Sequence, residues 1–172
     1  MNMLLRGIAV TAAVLTVAGC RAPASETAPV APPDAGTTSA AAPSPQAAVL
    51  GTTLTVTDAA GAAAYTVGNL RPVPVDAQIL PARGAMYAVD VTIDAQSGVV
   101  VYNGFYFVAR AQDGSTIAPM VGAVKPGINA GQLGSGRSIE GHVAFDVSPG
   151  QSITQVALRD PKGKTVAVWG AA

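Results

Sequence analysis

The run Ala85-Met86-Tyr87-Ala88-Val89-Asp90-Val91-Thr92-Ile93-Asp94 decides the fold class. Ala85, Tyr87, Val89, Val91 and Ile93 are apolar and line one face, while Asp90, Thr92 and Asp94 line the other. Successive side chains of a strand point to opposite faces, so a period of two builds one buried face and one wetted face. The pattern recurs outward in both directions. Upstream, Leu54 and Val56 alternate with Thr53, Thr55 and Thr57, and Asp58–Gly61 supplies a turn. Tyr65 and Val67 make a short strand ended by Gly68-Asn69, and Arg71–Val75 is extended, because its prolines remove ladder donors and restrict their neighbours. Downstream, Val99–Ala109 is apolar on both faces, with a kink or bulge expected at Asn103-Gly104. Asp113-Gly114 turns the chain into Thr116–Val121. Gly122–Gly136, with five glycines and Pro126, reads as a loose connection. Ile139, Val143, Phe145 and Val147 alternate again, and Ile153–Leu158 and Thr165–Trp169 complete the set.

Roughly seven to nine short strands, with turn signals about every 8–12 residues, predict an all-β antiparallel sandwich or barrel. No window of a dozen residues carries helical periodicity, and no repeat at a fixed period is visible.

At 172 residues the chain has room for one ordinary domain with accessories. Ten basic and ten acidic side chains cancel, and charged residues are only 12% of the whole, so no basic field exists to hold nucleic acid. One His and one Cys leave few ways to build a metal cage or a catalytic triad, and a lone Cys excludes a disulfide within the chain. No cofactor is expected.

The N-terminus carries an address. Arg6 precedes the uncharged apolar run Gly7–Val17, which is far shorter than the roughly 20 residues that cross a bilayer. Such a segment is an export signal rather than a span. Val17-Ala18-Gly19-Cys20 follows, and it resembles the lipobox of bacterial lipoproteins. That resemblance implies cleavage before Cys20 and thioether-linked acylation of its sulfur, and two or more acyl chains anchor stably where one holds only marginally. Residues 21–48 contain ten Ala, six Pro, three Ser and three Thr, too little large apolar surface to offset ordering entropy. The expected organisation is therefore a lipoprotein signal peptide over 1–19, a disordered tether over 20–48 and one folded domain over 49–172. The domain carries eight basic and eight acidic side chains, so it is neutral by itself.

The domain also resembles a family. Leu50-Gly51, Leu54-Thr55-Val56-Thr57-Asp58 and Val67-Gly68-Asn69-Leu70 occur in the order found at the start of the small secreted immunogenic antigens of mycobacteria. The likeness continues through Tyr87–Ile93, Ala109–Gly114, Gly141–Val147 and Val166–Trp169. It implies a two-sheet immunoglobulin-like sandwich with no established enzymatic activity, and it brings no catalytic motif. This chain departs from the family by its lipobox and long tether.

Three clusters are candidates for chemistry. Glu140, His142 and Asp146 share one face of a strand, as Asp90 and Asp94 do on another, so imidazole and carboxylates converge if the two strands are neighbours. The bland alternative is an ordinary wetted sheet face. Tyr102, Phe105, Tyr106 and Phe107 hold four of the eight aromatics in the chain. Without a bulge, Tyr102 and Tyr106 share one face and could meet a partner, unless a loop covers that face. Gly131–Ser138 superficially resembles a phosphate-binding loop, but a strand follows where a helix N-terminus is needed. The expected function is a cell-envelope lipoprotein on the outer face of the cytoplasmic membrane. It would be held through lipidated Cys20 and would present a non-catalytic domain to an envelope or host protein. The alternative is a carrier of small apolar envelope molecules between its sheets. An enzyme using His142 and Asp146 is the weakest of the three readings.

Overall fold

The structure, a computed structural model, describes residues 44–171. The expected signal peptide, Cys20 and the tether up to residue 43 lie outside the described residues. Residues 41–172 form a compact unit of their own, and both sheets and both core clusters lie inside it.

In chain order the strands are β1 (Gln46–Val49), β2 (Thr53–Thr57), β3 (Gly61–Pro72), β4 (Ala85–Asn103), β5 (Phe107–Ala111), β6 (Thr116–Ile117), β7 (Ala130–Gly134), β8 (Ser138–Val147), β9 (Ile153–Arg159) and β10 (Thr165–Gly170). One sheet has the order β1-β10-β9-β5-β6; in the other, β2-β3-β4 is extended by β7 and β8, both of which pair with β4. The two layers make a sandwich, one of the two architectures that alternation predicts, and the immunoglobulin-like one that the resemblance implies. All pairings are antiparallel except β1 with β10, which is parallel. Folded structure therefore opens at Gln46, inside the stretch assigned to the tether. Backbone groups of β1 meet those of β10 in a ladder that needs no apolar side chains, so composition alone did not show it.

The core lies between the sheets. Val89, Val91 and Ile93 of β4, Phe145 of β8, Phe107 of β5, Val156 of β9 and Trp169 of β10 are essentially inaccessible. No polar or charged residue among those described is buried, so apolar burial carries stability at about 25 cal/mol per Å² with no buried charge to offset. Trp169 also donates Nε1–H to the Thr52 carbonyl at 2.8 Å, tying one sheet to the chain entering the other.

Two departures from simple alternation shape the molecule. The first is on β4. Ala95–Gly98, four residues, face only Ser135–Arg137, three residues, across the β7–β8 junction. The bulge moves the buried positions from odd to even, so Val100 is buried while Val99 and Val101 are about half exposed. Gly98 sits there at φ 69°, and a Cβ on it would run into the Ala60 carbonyl. Accordingly β7 and β8 continue one another along β4, and Gly131–Ser138 is mostly strand rather than the expected loop.

The second departure is on the outer face. Met86, Ala88 and Ala144 are buried under Ala123 and Val124. The segment carrying them runs along β8, with Met120 N donating to Ala144 O at 2.7 Å and His142 N to Pro126 O at 2.8 Å. The first turn of β4 is thus buried on its even side, and Ala85 is exposed.

Candidate functional site

β4 and β8 are neighbours, and their register sets Asp90 directly opposite His142. On the other side of β4, the β3 ladder slips between Gly68 and Arg71, where Asn69 takes φ 51°. That slip turns Asn69 and Arg71 toward Asp90. Arg71 Nη1 donates to Asp90 Oδ1 at 2.5 Å and Asn69 Nδ2 to Oδ2 at 2.8 Å. His142 Nδ1 approaches Asp90 Oδ1 at 2.8 Å but off the line a hydrogen bond needs, so the contact becomes an ion pair only when the ring is protonated. Partial burial would raise the Asp90 pKa, but the hydrogen bonds from Arg71 and Asn69, with the charges of Arg71 and His142, hold it below the usual carboxylate value.

Of the remaining acids of the expected constellation, Glu140 borders one depression with Asp90 and His142, while Asp94 and Asp146 stay apart from it. Glu140 lies across from Thr92 and Asp94 across from Ser138. Asp146 accepts the backbone N–H groups of Arg83 and Gly84 at 2.8 Å each, which makes it a loop clasp. Among the described residues no three His, Cys, Asp or Glu side chains gather as a metal requires. Asp90 is already held by Arg71 and Asn69, so the cluster is built to be occupied by itself.

The aromatic run is divided by a one-turn 3-10 helix, Gly104–Tyr106, whose entry is capped when the Asn103 side chain accepts Phe105 N–H at 3.0 Å. The turn breaks the parity on which a shared, exposed face for Tyr102 and Tyr106 depended. Both tyrosines are half-buried against the core, and Tyr102 lies over Gly131, its cross-strand partner. Phe107 is buried, and Phe105 is the exposed aromatic at 62%.

Tyr106 and Val101 also line a cavity of about 370 Å³ at one end of the sandwich. Val56 of β2, Tyr65 of β3, Leu158 of β9 and Val166 of β10 complete its apolar wall, so both sheets contribute. Arg159, Lys164, Asp58 and Asp160 also line it. Burial, and then the Asp58 carboxylate, push the Tyr65 phenol up to about 12, which keeps its hydroxyl protonated.

A family model described as a domain of unknown function (DUF1942) matches residues 45–169. The chain belongs to the DUF1942 family. Its boundary agrees with the ladder that opens at Gln46. No curated protein matches the chain. Among solved structures, the DUF1942 domain is similar to MPT63, a secreted protein from Mycobacterium tuberculosis, with 25% identity, a TM-score of 0.67, and 75% of this chain and 99% of that one covered. It is also similar in fold to the yjhA protein from Bacillus subtilis, at 14% identity and a TM-score of 0.51 over 72% of this chain and 99% of that one. The resemblance to small secreted mycobacterial antigens holds.

Three features of the DUF1942 domain escaped the sequence reading. Arg71 and Asn69 join Asp90 through a bulge, which the Gly68-Asn69 pair marked only as a strand end. Phe105 is exposed because of a turn whose signal was Asn103-Gly104. Arg159 reaches a cavity that is built from five strands, β2, β3, β4, β9 and β10, and the 3-10 turn before β5, and no local pattern encodes it.

Proposed function

We propose that this protein is exported, anchored through acylated Cys20, and presents its sandwich as a non-catalytic interaction module of the cell envelope. The address Val17-Ala18-Gly19-Cys20, the Ala/Pro-rich tether and the likeness to a secreted protein support export. The observation that carries the binding role is the exposure of Val99, Val101 and Phe105 within one short stretch of β4 and its following turn. Exposed apolar groups close together in the chain, with half-buried aromatics next to them in sequence, are what a partner covers. The contact thus centres on Phe105, with Tyr102 and Tyr106 as its supports.

A photoreactive amino acid at Phe105, activated on intact cells, tests this. A discrete adduct from position 105 that is missing from the exposed control position Gln112 is expected. Equal labelling at both positions would overturn the reading.

A second reading, a carrier of small apolar envelope molecules, has one observation in its favour. The middle of the sandwich is filled by Trp169, Phe107 and Phe145, but the end cavity leaves space between the sheets.

A further inference from the structure

The walls and rim of the end cavity differ in kind. The wall of Val56, Tyr65, Val101, Tyr106, Leu158 and Val166 offers an apolar tail both aliphatic and aromatic contact. Its volume of about 370 Å³ falls in the lower part of the usual range for small-ligand sites.

The rim holds two acids and two bases, and they are not equally free. Asp58 accepts N–H groups from Ala60 and Gly61 at 2.7 and 3.0 Å. Asp160 accepts from Lys162 and Lys164 N–H at 2.9 and 2.8 Å. Both carboxylates are thus engaged in closing their own turns. Arg159 differs, because its Nε is buried and has no hydrogen-bond partner among the described residues. Its guanidinium lines the cavity beside an apolar wall, which favours an occupant that supplies an anionic acceptor. Position matters too. Ser44 and Gln46 border a smaller depression that shares Val56, Thr57, Lys164 and Val166 with the cavity, so the chain enters the domain beside this mouth.

We propose that the end cavity binds a small single-chain amphiphile with an acidic head, of the class of a medium-chain carboxylic acid, tail against Val56, Val101 and Val166 and head on Arg159. The proposal rests on the carrier reading and adds the identity of the head group. A carboxylate on a guanidinium forms a charge-assisted hydrogen bond, stronger than the one an alcohol makes there.

Calorimetric titration of the 41–172 unit with decanoate and with decan-1-ol tests it. Saturable one-to-one binding of decanoate is expected, about tenfold tighter than decanol, and Arg159→Gln should remove that difference by weakening decanoate far more than decanol. Equal affinity for acid and alcohol in the unaltered protein overturns the acidic head and leaves the carrier reading standing. Absence of saturable binding by either probe overturns both. The comparison of the two probes needs no variant, so a folding defect in Arg159→Gln cannot obscure it.

Discussion

Asp90 shows how one side chain can be legible in type and not in role. Its place on the polar face of β4 follows from alternation, and so does its facing His142 once β4 and β8 pair. Its two strongest partners, Arg71 and Asn69, arrive through a register slip that no side-chain pattern announces. Because these partners lower its folded-state pKa, folding gains from the ionised form. That gain is complete above the ordinary value of 3.8 and fades as pH falls through the lowered one. Asp90 is 42% exposed, so solvent screening limits the effect to under about 1 kcal/mol. Urea unfolding of Asp90→Asn should show that small loss at pH 7, with the two proteins converging toward pH 2.

At the scale of elements, β4 carries the lesson. Its first half is plain in the sequence because Val89, Val91 and Ile93 alternate with polar neighbours. Its second half is apolar on both faces in the sequence, which does not say which side is buried; the bulge at Ala95–Gly98 exchanges the parities and leaves Val99 and Val101 half exposed. Gly131–Ser138 was misread for a related reason: glycine has no side chain to reveal a face, and the ring of Tyr102 fills the space over Gly131 instead. The bulge depends on Gly98, whose left-handed backbone and close approach to Ala60 exclude a Cβ. Gly98→Ala should cost about 2 kcal/mol in chemical denaturation. Gly114→Ala, also at positive φ but with open space around it, should cost about 1 kcal/mol. Similar losses at the two positions would show that the close approach at the bulge adds nothing.

For the whole molecule, the two-layer architecture was legible because many short alternating segments leave few other solutions. The cavity was not, since it exists only where the ends of both sheets come together. On the proposed anchor, Cys20→Ala should move the protein from the detergent phase into the medium or leave its precursor uncleaved, as fractionation and intact mass would show. A variant that is still cleaved and still partitions into the detergent phase would reject acylation at Cys20.

The sense in which β1 joins its sheet bears on how such an anchor transmits force. Gln46 lies beside Ala167 and Val49 beside Gly170, so both strands run the same way. A tug from the N-terminal side drags β1 backward along its own axis and loads its contacts with β10 in shear, so they yield together rather than peeling one by one. A pull that arrives through Gln46 is therefore shared by the whole β1–β10 ladder at once.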